Sequence, residues 1–242
     1  NAFTPAVLRR IKELGVTHVW YTGVIRHATT TDYTRYGIPR QHPAVVKGNA
    51  GSPYAITDYY DIDPDLATNV EKRMNEFESL VKRTHKAGLK MIIDFVPNHV
   101  ARQYKSTAKP KGIADFGEND NTGMQFSPQN NFYYCPEQSF AADIDLYHGE
   151  ELPYEEFPAK ATGNDCFGNR PGRNDWYETV KLNYGVDYCD AGGVSTHFSP
   201  TPDTWKKMLD ILLFWAGKGV DAFRCDMAEM VPSAFWQWVT TE

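Results

Sequence analysis

The sequence predicts an α/β fold, because helical and strand-like segments alternate along it. Apolar residues at helical spacing in residues 3–15 precede a strand-like run at 16–25. The same order recurs in residues 69–88 and 89–96, and a third unit spans 205–224. Alternation of this kind implies parallel strands joined by right-handed crossovers.

Start and stop signals frame these predicted helices. Thr4 suits the N-cap of the first helix and Gly15 its end, and Gly88 ends the second helix. The third helix is expected to have its N-cap at Asp203 or Thr204. The second helix carries one apolar stripe, which consists of Val70, Met74, Phe77, Leu80 and Val81.

Two stretches show neither a helical nor a strand period. Residues 26–53 are polar and rich in Gly, Pro and Thr, so we expect a long loop there. Residues 101–202 are rich in Gly, Asn, Pro and Tyr, which indicates an inserted irregular subdomain rather than a linker. Residues 52–66 interleave aromatic and acidic side chains, and a further helix is expected to begin in residues 232–239.

The composition excludes several classes of protein. The formal net charge of −6 argues against nucleic acid as a partner. No stretch is long and apolar enough to span a membrane. The four cysteines lack a CxxC spacing, so a zinc site is not expected. Aromatic residues make up 14% of the chain, and such side chains stack on sugar rings as well as filling cores.

Chemically active side chains collect where two of the predicted strands end. Asp94, Asn98 and His99 lie at the end of the strand in residues 89–96 or just after it, and Arg224 and Asp226 end the last strand. In a β/α barrel the carboxyl ends of the strands face the active site, so we expect these side chains to converge. A guanidinium beside a carboxylate lowers its pKa, and an ionised carboxylate can serve as a nucleophile. The alternative is a merely structural Arg–Asp pair.

The two segments resemble the hallmarks of the alpha-amylase family, glycoside hydrolase family 13. That family has an Asp, three residues and then Asn-His after its third barrel strand, which here is DFVPNH from Asp94 to His99. It has Arg-x-Asp at the end of its fourth strand, which here is Arg224-Cys225-Asp226. Residues 13–24 are similar to the family's second strand and its approach, and residues 52–66 to a loop that supplies a stacking tyrosine.

The resemblance implies a (β/α)8 TIM barrel of the alpha-amylase type, of which the N-terminal part is present. Residues 1–100 would run from helix 1 to strand 3 of this barrel, residues 101–203 would form an irregular domain B inserted after the third strand, and residues 204–242 would continue the barrel. Three of the eight expected strands are then accounted for, so the chain is expected to be a piece of a longer catalytic domain.

The resemblance also implies a role for each matching residue. Asp226 matches the nucleophile that forms a covalent glycosyl-enzyme, and Arg224 would keep it ionised and aimed. Asp94 would orient Arg224 through a charge-assisted hydrogen bond. His99 would contact hydroxyls of the sugar being cleaved, and Tyr54 would stack on its ring.

Two departures from the family pattern carry information. The family often has Lys-His three and four residues after the nucleophile, whereas here Glu229 and Met230 take those positions and are the expected substrate contacts. A calcium-binding Asp often precedes Leu-Asn in domain B, whereas here Lys181 precedes it. Because an ammonium ion repels calcium, no metal or other cofactor is expected, and the alternative is a structural calcium elsewhere, for example in residues 115–121. The Lys-Leu-Asn form is similar to the neopullulanase and cyclomaltodextrinase branch.

The implied function is retaining hydrolysis of α-1,4-glucosidic bonds in starch or maltodextrins, with an α-glucan oligosaccharide or polysaccharide as substrate. The alternatives are a transglycosylase or glucan isomerase of the same family, and a non-catalytic relative that binds glycans or proteins. The family places its general acid, a Glu, on the fifth strand, so these 242 residues alone are expected to be inactive. Chain-length preference, oligomeric state and compartment do not follow from the sequence.

Overall fold

Four α-helices and eleven short strands make up the regular structure of residues 2–143 and 152–242, the part of the chain that the computed structural model describes. The helices are α1 (Pro5–Glu13), α2 (Arg73–Lys86), α3 (Asp203–Gly217) and α4 (Ser233–Val239). The strands are β1 (His18–Tyr21), β2 (Ile25–His27), β3 (Ile56–Ile62), β4 (Lys90–Phe95), β5 (His99–Ala101), β6 (Tyr134–Cys135), β7 (Ala159–Lys160), β8 (Thr179–Lys181), β9 (Val186–Asp187), β10 (Ser195–Thr196) and β11 (Ala222–Cys225).

A parallel sheet in the order β1-β4-β11 confirms the predicted pairing of the three helix-linked strands. The register places Arg224 directly opposite Asp94. Because parallel strands end at the same edge of a sheet, the side chains that follow β4 and β11 are brought together there.

The helices cover this sheet and bury an apolar core. Met91 and Ile93 of β4 are fully buried, and Phe77 of α2 and Trp215 of α3 pack against each other with ring centroids 5.3 Å apart. The indole nitrogen of Trp215 donates a hydrogen bond of 2.8 Å to the carbonyl of Tyr59, which ties α3 to β3. Burial of such large side chains is the main source of stability in a core of this kind.

The predicted helix ends are confirmed for α1 and need one correction for α3. Thr4 caps α1 by accepting a hydrogen bond from the backbone nitrogen of Val7. The helix α3 begins at Asp203, and its N-cap position is held by Pro202 without a side-chain cap, so the expected cap at Asp203 or Thr204 is wrong. The Asp203 carboxylate is instead engaged within the helix, in an ion pair of 2.9 Å with Lys207.

The polar segment that starts at residue 26 is more ordered than its composition predicts. Its first residues form β2, which pairs antiparallel with β3. The buried Arg26 lies 3.0 Å from Asp58 and 2.8 Å from Asp61, both of them buried on β3. A strand buried on both faces shows no alternation of polar and apolar residues, and here mutual charge compensation allows it to be buried.

Residues 101–202 contain little regular structure beyond short antiparallel pairs. The strands β5 and β8 pair with His99 opposite Lys181, and β6–β7 and β9–β10 form two-residue ladders. A buried ion pair of 2.7 Å between Arg102 and Glu156 lies inside this region. The division into residues 1–100, 101–203 and 204–242 stays a prediction. Within the described residues, none of the helices has the length and apolar character that crossing a lipid bilayer requires.

Candidate functional site

A cavity of about 230 Å³ lies where β4 and β11 end. Tyr54, His99 and Asp226, three of the residues singled out from the sequence, line it together. Asp226 follows directly after β11, and its backbone nitrogen donates to the carbonyl of Phe95, the last residue of β4. The backbone pairing of the two strands therefore fixes where the Asp226 carboxylate lies.

Arg224 connects the acidic side chains of the two strands. Its Nη1 donates to Asp226 Oδ1 at 2.7 Å and contacts Asp94 Oδ1 at 3.4 Å. The second oxygen of Asp94 accepts a hydrogen bond of 3.0 Å from the backbone nitrogen of Gly23. The predicted convergence of Asp94, Arg224 and Asp226 is therefore present, with the short contact made to Asp226.

The guanidinium of Arg224 lies over two aromatic rings. The Cζ of Arg224 lies 5.3 Å from the ring centroid of Trp20 and 5.5 Å from that of Tyr54. Such cation–π contacts restrict the orientation of an arginine that is 39% exposed. Tyr54 therefore borders both the cavity and the arginine that binds Asp226.

Arg224 acts on the pKa of Asp226 in the expected direction, but burial decides the net shift. Burial raises the pKa of the Asp226 carboxyl above its ordinary value, and the hydrogen bond and charge of Arg224 oppose this shift without reversing it. The charges of Asp94 and Glu229 add to the increase in pKa. The net pKa of Asp226 is therefore raised rather than lowered, because the sequence indicated the cation and not the desolvation, which here has the larger effect.

His99 is buried and neutral at this site. Burial and then the charge of Lys181 lower the pKa of His99 to about 3. Its Nδ1 lies 3.0 Å from the Nδ2 of Asn98, and its ring centroid lies 5.3 Å from that of Trp176. A neutral imidazole that lines a cavity can exchange hydrogen bonds with an uncharged ligand.

Lys181 joins three segments of the chain beside the cavity. Its Nζ donates to Asn98 Oδ1 at 2.5 Å and to the carbonyl of Met230 at 3.3 Å, and it forms an ion pair of 2.8 Å with Asp165. These groups do not fit the calcium ion expected from the family at this place, because an ammonium ion already contacts the Asn98 oxygen. Burial lowers the pKa of the Lys181 ammonium, and the hydrogen bond and charge of Asp165 oppose that shift.

Glu229 and Met230 lie in the 3₁₀ turn that follows Asp226. Glu229 is exposed there, and Met230 is half-buried and offers its carbonyl to Lys181. Met227, which precedes this turn and has a left-handed backbone at φ 48°, lines the cavity. The roles of Glu229 and Met230 as substrate contacts stay predictions.

Sequence reasoning missed six residues of the cavity wall. They are Lys47, Ser52, Trp176, Glu178, Thr179 and Met227. Trp176, Glu178 and Thr179 precede the Lys-Leu-Asn motif by a few residues, and that proximity could have pointed to them. Lys47 lies in the segment predicted as a loop, and nothing in its neighbourhood distinguished it.

Two acidic residues of the segment offered as an alternative calcium site accept hydrogen bonds within the protein, and that alternative stays a prediction. Asp120 accepts from the backbone nitrogens of Asn131 and Phe132 and from the hydroxyl of Tyr134. Asp115 accepts from the backbone nitrogen of Ser106 at 2.9 Å. Across residues 2–143 and 152–242, no three His, Cys, Asp or Glu side chains are grouped so as to hold a metal ion.

A protein-family profile matches nearly the whole chain. Residues 6–240 match the profile described as the alpha amylase catalytic domain. Maltase A2 of Drosophila melanogaster is 24% identical over 226 residues, which are 89% of this chain and 29% of that protein. The human amino acid transporter heavy chain SLC3A1 is 24% identical over 188 residues, which are 75% of this chain and 22% of that protein.

A solved structure has the same fold as this chain. The alpha-amylase from Lactobacillus plantarum superposes with a TM-score of 0.55 and 23% identity, over 98% of this chain and 37% of that one. The chain therefore spans less than a third of the two relatives named above and little more than a third of this structure.

Proposed function

Because this chain belongs to the alpha-amylase catalytic-domain family, with a fold of the TIM-barrel type, we propose that it carries the nucleophile of a retaining α-glucan hydrolase. The substrate would be starch or a maltodextrin, cleaved at α-1,4-glucosidic bonds. One observation carries the proposal: Tyr54, His99 and Asp226 line a single cavity, and Arg224 binds the Asp226 carboxylate at 2.7 Å.

In this mechanism Asp226 attacks the anomeric carbon of a glucosyl unit held in the cavity. The bond from that carbon to the leaving oxygen breaks, and a glycosyl–Asp226 ester forms, which water then hydrolyses with net retention. Arg224 aims the carboxylate and offsets its charge. Tyr54 offers a ring face to the sugar, and His99 exchanges hydrogen bonds with its hydroxyls.

The leaving oxygen must be protonated by a second carboxyl group, and we propose that this acid is not among these 242 residues. Both carboxylates on the cavity wall are engaged with cations, Asp226 with Arg224 and Glu178 with Lys47. Glu229 is exposed on the turn after Asp226. We therefore expect no glucan hydrolysis from the isolated 242-residue chain.

We further propose that Lys181 supplies the positive charge that a calcium ion supplies elsewhere in the family. Its side chain is 3% exposed and bonds to groups on both sides of the site, Asn98 on one and Asp165 on the other. A cation that belongs to the chain itself would make this junction insensitive to chelators.

A second candidate function is a non-catalytic relative, and the match to a transporter heavy chain is the observation that favours it. A transglycosylase of the same family would use the same covalent intermediate. Asp226 and Arg224 would therefore have the same roles in a hydrolase and in a transglycosylase. The cavity with a carboxylate on its wall supports an enzyme over a protein that only binds a partner.

The test uses the natural protein that contains this chain, incubated with maltoheptaose while the anomeric form of the first products is followed by NMR. Retention predicts α-anomers, and a 5-fluoro-α-glucosyl fluoride probe should leave a covalent adduct on the Asp226 peptide in mass spectrometry. The variant Asp210→Asn removes an exposed carboxylate on α3 and is the matched control. Absence of both turnover and adduct would favour the non-catalytic alternative.

A further inference from the structure

A backbone group just after the end of β1 contacts the site, and the mechanism above does not use it. The nitrogen of Gly23 donates a hydrogen bond of 3.0 Å to Asp94 Oδ2. Tyr21, the last residue of β1, pairs with Ile93, the residue before Asp94. The register of β1 and β4 therefore brings this nitrogen to the Asp94 carboxylate.

The hydrogen bond from Gly23 fixes the direction in which the Asp94 carboxylate faces. Asp94 is 4% exposed, and its other oxygen, Oδ1, contacts Arg224 Nη1 at 3.4 Å. The same Nη1 of Arg224 donates to Asp226 Oδ1 at 2.7 Å. A buried carboxylate that is held at one oxygen presents the other in a fixed direction. Groups from the ends of β1, β4 and β11 are therefore connected to Asp226 in one chain of contacts.

The backbone at position 23 leaves no room for a side chain. Gly23 is buried and has a left-handed backbone at φ 65°, a region that residues with a side chain disfavour. A Cβ atom there would lie 2.9 Å from Pro53 Cβ, which is closer than such atoms approach in proteins. Pro53 precedes Tyr54, whose ring centroid lies 5.5 Å from Arg224 Cζ. A side chain at position 23 would therefore displace its own backbone nitrogen from Asp94 or the segment that carries Tyr54.

We infer that Gly23 is a positioning residue for the nucleophile. Its backbone N–H orients the Asp94 carboxylate, and Asp94 in turn holds the Arg224 guanidinium that aims Asp226. The effect of Gly23 on the reaction passes through Asp94, so Gly23 is a positioning and not a catalytic residue. The effect on the rate rests on the proposed function, whereas the contact with Asp94 does not.

The first test compares two glycines in the natural protein that contains this chain. Gly23→Ala should lower kcat for maltoheptaose about 10-fold or more, because the new Cβ displaces the backbone nitrogen from Asp94. Gly15→Ala is the matched control, since Gly15 also has a left-handed backbone, at φ 85°, and a Cβ there would meet no atom within 4 Å. Gly15→Ala should leave kcat unchanged, and equal kcat values for the two variants would overturn the inference.

A rescue variant tests whether the contact with Pro53 causes the loss. Pro53→Gly removes the atom that the new Cβ would meet. Gly23→Ala/Pro53→Gly should therefore regain most of the kcat lost by Gly23→Ala, measured against Pro53→Gly alone.

A double-mutant cycle tests whether Gly23 acts through Asp94. In an Asp94→Ala background, Gly23→Ala should cause no further loss of kcat, because the acceptor of the Gly23 N–H is already gone. Losses that multiply would mean that Gly23 acts independently of Asp94, which would overturn the inference and leave the proposed hydrolase intact. Thermal unfolding of each variant identifies any loss caused by misfolding.

Hydrogen exchange tests the contact without reference to activity. Asp94→Ala should speed exchange of the Gly23 amide hydrogen about 10-fold or more, because that N–H loses its acceptor. The Gly15 amide, which donates to the carbonyl of Lys12 at 3.0 Å, should exchange at an unchanged rate. Mass spectrometry that resolves single amides measures both rates.

The exchange result separates this inference from the proposed function. If the protein hydrolyses no glucan, the proposed function fails, and faster exchange at Gly23 still supports the contact that orients Asp94. An unchanged exchange rate at Gly23 in Asp94→Ala overturns the inference whether or not the protein is an enzyme.

Discussion

The two sides of the candidate site are held by different kinds of interaction. On one side, Asp94 and Arg224 face each other across β4 and β11, so the backbone pairing of adjacent strands places them. On the other side, Lys47 and Glu178 form an ion pair between two irregular segments, and Lys47 also lies over the ring of Tyr177. Both pairs join residues far apart in the sequence, but the first arrangement follows from strand register, whereas the second depends on side-chain contacts between segments without regular structure.

This difference has a consequence for how the two sides tolerate change. A side chain at a strand end can be replaced without moving the backbone, because ladder hydrogen bonds hold the strand. A segment held by side-chain charges loses its position when one charge is removed. Substitutions at the strand ends should therefore affect chemistry more than stability, and substitutions at the charged contacts of residues 101–202 should affect stability.

The largest expected effect comes from the strand end. Asp226→Asn should lower kcat of the natural protein about 10⁴-fold, because the nucleophile is lost. It should not lower the free energy of unfolding, because the raised pKa of Asp226 means that folding disfavours the ionised carboxylate. Initial rates on maltoheptaose and urea unfolding at pH 7 measure the two quantities. A large loss of stability with unchanged kcat would make Asp226 a structural residue.

A smaller effect, on stability, is expected at the junction formed by Lys181. Lys181→Met should lower the free energy of unfolding by about 2–3 kcal/mol, because Asn98 and Asp165 lose a buried cation. The value is set below that of a fully buried pair because Asp165 is 41% exposed. Urea unfolding measures it.

The matched control for Lys181 is another ion pair of the same region. Lys109 and Glu118 lie 3.0 Å apart and are both partly exposed. Lys109→Met should therefore change stability by about 0–1 kcal/mol. Equal effects of the two lysine substitutions would contradict the special role of Lys181 at the junction.

The next effect is a pH dependence that arises at His99. The pKa of His99 is about 3 in the folded protein, against an ordinary value of 6.5, so the unfolded chain binds a proton that the folded one does not. The contribution of the neutral His99 to the free energy of unfolding is therefore fully present above pH 6.5 and is lost as the pH falls toward 3. The stability difference between the wild type and His99→Gln should shrink by about 2 kcal/mol between pH 7 and pH 5. A difference that stays constant over this range would contradict a buried neutral imidazole.

Periodicity and glycine stops were sufficient to predict the helices and strands, because these signals are local. The rule that the carboxyl ends of barrel strands face one site then predicted the meeting of Asp94 with Arg224. The pairing of β2 with β3 was missed, because Arg26 and Asp58 are buried with each other and leave no apolar alternation. The raised pKa of Asp226 was missed for a related reason, since burial is a property of the assembled fold. Lys47 carried no signal because it lies in a segment without a helical or strand period, so nothing in the sequence indicated that it would meet Glu178.

The smallest expected effect on stability is at Thr4, the N-cap of α1, which the sequence alone predicted. Thr4→Ala should lower the free energy of unfolding by about 1 kcal/mol, because the backbone nitrogen of Val7 loses the acceptor that caps α1. Thr4→Ser keeps the hydroxyl and should retain most of that stability, which makes it the matched control. Because α1 buries one residue fully, Leu8, its stability depends on such local terms more than that of α2 does. A Thr4→Ala variant that unfolds at the same urea concentration as the wild type would mean that packing at Leu8, and not the cap, fixes where this helix begins.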